Sequence, residues 1–444
     1  MMGQHEMRDS GIPIDEFIDS MLISRRHMLI LAVFSFVAIL DGYDIQALSF
    51  VAPILVRIWR LHPSEFGPIF SAGLLGLMTG QLILPVLSDR YGRRFIIIGS
   101  VFAFGAFTLM CGLAENLHQL LVLRFLGGVG LGSVTPNIIA LAAEITPSRV
   151  RSLVIATILS CFSVGAVAGG YVSSQVIAGG RWQIVFFIGG ILPLCTSGFL
   201  LALVPESPML LARRGETRRL KNVLKLLAPK QMSDDISIST SHDVESSTPI
   251  QMLFGKGNRL KTGLVWITFL LSLFVIYSLA SWAAILLSSR GLALGDAIML
   301  ATLVNVGGGI GGVVIGRLLD RFDPRTMLAI CCLCCSAAMT SVALSESNWP
   351  ILAISMSAAG VFSSGMQVGL TTYTASIYSA ESRSTAIGSA LACGRVGAII
   401  GPSAVGALLA ANMPANSIFL VLGAPSLVVA AVLIFSRETL RIAA

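Results

Sequence analysis

Long runs of apolar residues, separated by short polar breaks, fill most of this chain. Twelve runs are predicted to be helices, over residues 28–57, 66–88, 94–114, 118–143, 152–177, 182–204, 262–289, 296–316, 326–344, 349–374, 385–411 and 415–435. Each reaches about 18 predominantly apolar residues or more, the length at which a helix covers a hydrocarbon core. Lipid cannot satisfy backbone N–H and C=O groups, so such spans must be helical. The first and fourth are long, which fits tilted helices. Residues 1–27 are mostly polar, and the apolar run after His27 is too long for the core of a cleavable leader. The first span is therefore expected to stay in the protein.

One interruption is much longer than the rest. It opens with Pro205-Glu206-Ser207-Pro208, runs through Arg- and Lys-rich residues 213–230 and stays polar to Pro249. A short amphipathic helix is expected near residues 216–228. The break divides the chain into a six-helix bundle over 1–204, a linker over 205–261 and a second six-helix bundle over 262–444. Local echoes support a repeat. Asp89-Arg90-Tyr91 matches Asp320-Arg321-Phe322 at an offset of 231, while Ile145…Arg151-Ser152 matches Ile377…Arg383-Ser384 at 232. Gly165-x-x-x-Gly169 matches Gly397-x-x-x-Gly401, again at 232. Internal repeats of this kind characterise transporter folds.

Composition agrees with the pattern. Of 444 residues, 55% are hydrophobic and 12% charged, against about 25% charged in soluble domains. The 44 glycines suit close helix approach in a bilayer. The net charge of +7 takes its meaning from placement. With an even number of spans, 24 Lys and Arg fall on the side that carries both termini and the linker, and four (Arg57, Arg60, Arg181, Arg290) on the other. Arg124 and Arg395 lie inside spans. By the positive-inside rule both termini are expected in the cytoplasm of a bacterial inner-membrane protein. The basic pI then calls for no nucleic acid. Cys331, Cys332, Cys334 and Cys335 sit mid-span without a neighbouring His or acid, and consecutive helical residues diverge, so no metal site is expected. None of the eight cysteines falls in an outward loop, and no disulfide framework is expected.

The loop after the second span, Pro85-Val-Leu-Ser-Asp89-Arg90-Tyr91-Gly92-Arg93-Arg94, resembles the signature loop of the major facilitator superfamily. A second copy reads Gly316-Arg-Leu-Leu-Asp320-Arg321-Phe-Asp323-Pro-Arg325. Pro85 replaces the usual Gly in the first copy, and Asp323 replaces the later Gly in the second. Leu120-x-x-x-Arg124-x-x-Gly127-Gly128-x-Gly130 and Pro205-Glu206-Ser207-Pro208-Met209 resemble further motifs of that superfamily. Asp41-Gly42-Tyr43-Asp44 in the first span, with Pro136-Asn137 and Glu144, resembles the aromatic acid/H+ symporter branch. The resemblance implies an all-α membrane protein of twelve transmembrane helices in two pseudo-symmetric six-helix bundles. It also implies import of an aromatic carboxylate of the hydroxybenzoate, protocatechuate or gallate class, in support of aromatic catabolism. Asp89, Arg90, Gly92, Arg93, Asp320, Arg321 and Asp323 would form gating clusters. The proton gradient is the energy source, with no bound cofactor, and a monomer in lipid is expected.

The intramembrane charges carry the chemistry. Asp41 and Asp44, three apart, share a helix face. Each costs about 2.5–3.5 kcal/mol at the bilayer centre on insertion scales, so both must face the protein interior or a wet cavity. A carboxylate pair in that setting can exchange a proton near neutral pH. The same residues would also serve as structural acids bonded to neighbouring helices. Arg124 is open to three roles: pairing with Asp41 or Asp44, binding the substrate carboxylate, or structure alone. Glu144 reads as a gate or ion-pair residue within reach of Arg149 and Arg151. Arg395 is the second candidate for the substrate carboxylate, or a structural arginine. Tyr43, Tyr277, Trp282 and Tyr373 are candidate ring contacts, with Gln46 and Gln367 as polar supplements, although helical aromatics commonly just pack. No His lies mid-span, so a histidine proton relay is not expected. A proton-antiport exporter is the alternative, disfavoured because Gly169 is followed by Gly170 rather than Pro. A non-transporting sensor would need an added signalling domain. For an enzyme, no phosphate loop, metal triad or nucleophile elbow is in a sensible place.

Overall fold

A computed structural model of the protein describes residues 12–177, 179–228, 238–239, 258–319, 321–346, 348–378 and 380–442. Twelve helices long and apolar enough to cross a membrane are present among them. In chain order the helices are α1 (Ile14–Ser20), α2 (Arg25–Ile58), α3 (Phe66–Tyr91), α4 (Arg93–Cys111), α5 (Leu117–Ile145), α6 (Ser148–Ile177) and α7 (Gln183–Leu203). Then follow α8 (Pro208–Arg213), α9 (Thr217–Leu227), α10 (Asn258–Ser289), α11 (Leu294–Leu319), α12 (Pro324–Leu344), α13 (Trp349–Ile377), α14 (Ala380–Ala410) and α15 (Ala415–Ile442). Each predicted span falls on one of the long helices. Several overrun the prediction at polar ends: α10 starts at Asn258 and α14 at Ala380, because a helix continues past the last apolar residue where water or side chains satisfy its end.

Local chemistry fixes the starts. Ser24 accepts the His27 N–H at 3.1 Å at the head of α2, and Asn116 accepts that of Gln119 at 2.9 Å at the head of α5. At the head of α12, Asp323 accepts from Thr326 N–H at 2.9 Å, with proline at the first helical position. These are N-caps, each worth about 1 kcal/mol.

The two groups of six long helices repeat one packing scheme. In the first, α2 packs on α6, α3 on α5 and α4 on α7; in the second, α10 packs on α14, α11 on α13 and α12 on α15. The repeated glycines explain one pair. A Cβ at Gly165 would strike the Ile39 carbonyl of α2, and a Cβ at Gly397 the Leu270 carbonyl of α10, so both glycines permit backbone-to-backbone contact.

The molecule has a basic face, carrying the α3–α4 turn, the α5–α6 turn, α1, α8 and α9, and an opposite face with the turns after α2, α6 and α10. At the opposite face a single core cluster draws on both groups of helices, including Phe50, Phe186, Trp282 and Phe419. Toward the basic face the core splits in two. One cluster holds only residues between Ile14 and Ala228, including Phe17 of α1 and Leu220, Leu224 and Leu227 of α9; the other holds only residues between Val265 and Leu433. The helices that meet across the midline, α2 with α10, α3 with α14 and α6 with α11, therefore diverge toward the basic face. The side chains say the same. Ser71 bonds Ser403 at 2.7 Å near the opposite face, whereas further along those stripes Leu82 and Val396 are exposed. On α11, Gly309 lies against Ser163 of α6, but a Cβ at Gly312 or Gly316 would meet nothing within 4 Å. The fold is closed on one side and splayed on the other.

Candidate functional site

A central cavity of about 420 Å³ lies between the two groups of helices. The first contributes Asp44, Gln46, Phe70, Arg124 and Phe162; the second contributes Tyr277, Ser281, Asn305, Ser364 and Gln367. Apolar residues such as Ile69, Leu77, Leu131, Leu273 and Val368 complete the wall. A largely apolar cavity with a few convergent polar groups is the usual form of a small-molecule site.

Arg124 is 7% exposed, and its Nη1 donates to Asp44 Oδ2 at 3.2 Å. Asp44 Oδ1 accepts from the Thr108 hydroxyl at 2.5 Å, so both carboxylate oxygens are engaged. The guanidinium stacks over the Phe186 ring at 4.8 Å, and its Nε and Nη2 are fully buried, with Cys111 beside the group. Asp41, one turn away, accepts from the Thr135 hydroxyl at 2.5 Å through Oδ2, and its Oδ1 is without a partner.

Across the cavity, Gln46 Nε2 donates to Asn305 Oδ1 at 2.7 Å and so ties α2 to α11. Arg395 does not line the cavity. Its Nη1 donates to the Tyr277 oxygen at 2.7 Å. Gln367 accepts from the Ser272 hydroxyl at 3.2 Å. Three aromatic candidates lie off the cavity wall. Tyr43 is buried and donates to the Val185 carbonyl at 2.9 Å; Trp282 is fully buried, donates to the Pro402 carbonyl at 2.9 Å and meets the cavity only through Phe70, edge to face at 5.4 Å. Tyr373 is buried in the core of the second group near the basic face.

The second assembly is at the basic face. Arg93 lies 3.8 Å from Asp89 and 2.5 Å from Glu144. Glu144 also accepts a short hydrogen bond from the Ser207 hydroxyl. Glu206 Oε1 accepts the backbone N–H groups of Arg93 at 2.8 Å, Arg94 at 3.2 Å and Ser207 at 2.9 Å. Gly92 turns the chain at a φ of 113°, and a Cβ there would run into the Glu206 carboxylate. Arg90 stacks on Tyr91 at 5.7 Å, and its carbonyl accepts from Arg214. The expected pairing of Glu144 with Arg149 and Arg151 is corrected: both arginines lie on α6 beyond the turn, where Arg149 donates to the Met21 carbonyl and Arg151 to that of Thr146. In the second copy of the loop, Asp320 lies outside the described residues, Arg321 is exposed, and Asp323 caps α12.

Sequence reasoning passed over Thr108, Thr135, Ser281, Asn305 and Ser364. Polar residues in apolar spans are the available signal, but only the packed helix rotation selects those that face the cavity or the aspartates. Glu206 and Ser207 were visible as a motif without a role.

The major facilitator superfamily profile matches residues 34–311 and 265–442. The gallate transporter of Pseudomonas putida is 32% identical, over 94% of this chain and 93% of its own length. The 4-hydroxybenzoate transporter PcaK of the same organism is 32% identical, over 88% of each chain. Among solved structures, the xylose transporter XylE of E. coli, in a partially occluded inward-open conformation, superposes with a TM-score of 0.67 at 16% identity, over 92% of this chain and 97% of its own. That likeness speaks to the fold, and the sequence relatives speak to the branch. With its twelve spans and a cavity between two repeated helix groups, this chain is a multi-pass membrane transporter rather than an enzyme, and it belongs to the major facilitator superfamily, in the branch that contains these aromatic-acid transporters.

Proposed function

We propose that the protein is a proton-coupled symporter that imports an aromatic carboxylate across the bacterial inner membrane. The basic face and both termini lie in the cytoplasm, and residues 1–204 and 262–444 rock about the cavity as two bundles joined by 205–261. The observation that carries this reading is Arg124, held by Asp44 in the wall of the central cavity, beside the apolar surface a ring needs. Gallate and 4-hydroxybenzoate, named for the relatives, are both ring carboxylates. An anion entering this site requires such a fixed partner, since an unpaired buried carboxylate carries a large desolvation cost.

Coupling follows from the two acids. Protonating Asp44 removes the charge that holds Arg124 Nη1 and lets the guanidinium turn fully to the substrate. Asp41, with one oxygen unpartnered, is placed to receive that proton on the way to the cytoplasm. Arg395 works through Tyr277, and the Asp89–Arg93–Glu144–Glu206 assembly is the cytoplasmic gate. The splayed basic face makes this the inward-open state.

A panel of labelled benzoate, 4-hydroxybenzoate, protocatechuate and gallate in cells or proteoliposomes tests the reading. Accumulation is expected for at least one, stronger at acidic external pH while the substrate stays anionic, and abolished by a protonophore. Accumulation that survives collapse of the proton gradient and is instead stopped by removing sodium overturns proton symport.

A further inference from the structure

A second cavity, of about 550 Å³, opens at the basic face, apart from the central cavity and sharing only Glu206 with the gate assembly described above. Four guanidinium groups line it: Arg26 at the start of α2, Arg94 at the start of α4, Arg214 just after α8 and Arg219 on α9. Among the described residues Glu206 is the one acid in its lining, and the Oε1 of that residue is already taken by three backbone N–H groups. The arginines are partly anchored. Arg94 Nη2 donates to the Leu201 carbonyl at 2.6 Å, Arg214 Nη2 to the Arg90 carbonyl at 2.6 Å, and Arg219 Nη1 to Glu216 Oε2 at 2.7 Å. A guanidinium has five N–H donors, so each keeps most of them for a ligand. The result is a positively charged concavity in which three of the four arginines are hydrogen-bonded to the protein.

Its position narrows the ligand. α4 begins at Arg93 and α7 ends at Leu203, so the cleft sits where two neighbouring spans leave the bilayer. On the same two helices, next in sequence to the cleft-lining Arg94 and Ala202 or one turn further in, Phe95 is 68%, Leu201 56% and Phe199 63% exposed. A soluble anion would use the arginines and ignore these apolar side chains; an anionic lipid uses both. We infer that this cleft binds the phosphate of an anionic phospholipid, whose acyl chains lie along Phe95, Phe199 and Leu201. Basic pockets at a membrane boundary hold such headgroups through charge and hydrogen bonds, each nearby arginine strengthening binding roughly fivefold.

The protein purified in neutral detergent is titrated with dihexanoyl phosphatidylglycerol, dihexanoyl phosphatidylcholine or inorganic phosphate, and thermal stability and retained lipid by native mass spectrometry are read. Phosphatidylglycerol is expected to bind and raise the melting temperature, while the other two leave it unchanged. Arg26→Gln/Arg219→Gln is expected to bind phosphatidylglycerol roughly twentyfold more weakly, with the lipid-free melting temperature preserved. Should the double variant not fold, Arg219→Gln alone is expected to lose roughly fivefold. Equal stabilisation by phosphatidylcholine overturns the inference, as does an undiminished phosphatidylglycerol affinity in the variants. An equal response to inorganic phosphate also overturns it, since the site would then take free anions.

Discussion

The two halves of this transporter share a packing scheme and divide the chemistry unequally. The first half places Asp41, Asp44, Arg124 and Glu144 within its spans, whereas among the described residues of the second half Arg395 is the one cation at mid-span and donates to Tyr277. The cavity wall mirrors this: a charged pair on one side, and Tyr277, Ser281, Asn305, Ser364 and Gln367 on the other. The loops differ in the same direction. In the first half Asp89, Arg93, Glu144, Glu206 and Ser207 converge from three segments of chain. In the second, Asp323 stands where the first loop has its turn glycine and caps its own helix, while Arg325 donates to the Leu433 carbonyl of α15. A repeated fold thus preserves backbone geometry, which rests on small residues, and lets the charged side chains specialise.

Four substitutions would break or sharpen that contrast. The largest effect is expected at Arg124. Arg124→Gln leaves Asp44 buried without its cation, a loss on the scale of about 3–5 kcal/mol. Substrate affinity and concentrative uptake should fall by roughly 100-fold or more, measured by binding and flux in proteoliposomes. A variant that binds normally would move the carboxylate site to neutral donors.

Next is Glu206→Gln, which keeps shape but removes the charge that three N–H groups share, and hydrogen bonds to charged groups contribute about 1.5–3 kcal/mol. Uptake rate is expected to drop roughly tenfold with binding retained. Unchanged flux would make the assembly a static brace. Arg395→Lys should be milder: the charge stays but the planar fork is lost, and affinity is expected to weaken by about fivefold through Tyr277. If Tyr277→Phe and Arg395→Lys gave additive losses, the two residues would act independently rather than in series. The smallest effect belongs to Asp323→Ala, where loss of the cap should cost about 1 kcal/mol in stability and leave uptake intact. A transport defect there would show that the second loop also gates.

Much of the architecture was legible from hydrophobic runs, because a lipid environment leaves helices as the only solution for spans such as 262–289. The Gly165 and Gly397 repeats likewise disclosed matching helix contacts. Partners were harder to read. Glu144 was expected beside Arg149 on sequence proximity, yet it pairs with Arg93 from a turn some fifty residues earlier, because the helix ends meet in space. Tyr43 and Trp282 looked like ring contacts but direct their polar atoms at backbone carbonyls in the packed core. Rotation of a helix about its axis decides such cases, and an all-round apolar span gives little periodic signal to fix it.

The Gln46–Asn305 contact is a weak tie between the two halves. It joins the two halves at the cavity wall with one neutral hydrogen bond, whose net worth is about 0.5–1.5 kcal/mol. A bond of that strength biases the closed arrangement by only about twofold to twelvefold. Thermal motion can release it on its own, without a titration or a bound ligand to trigger the break. An ion pair in the same place would hold harder and change with salt and pH. With two amides this tie is weak and condition-independent, and closure of the opposite face rests instead on the apolar core that both halves share around Phe50, Trp282 and Phe419.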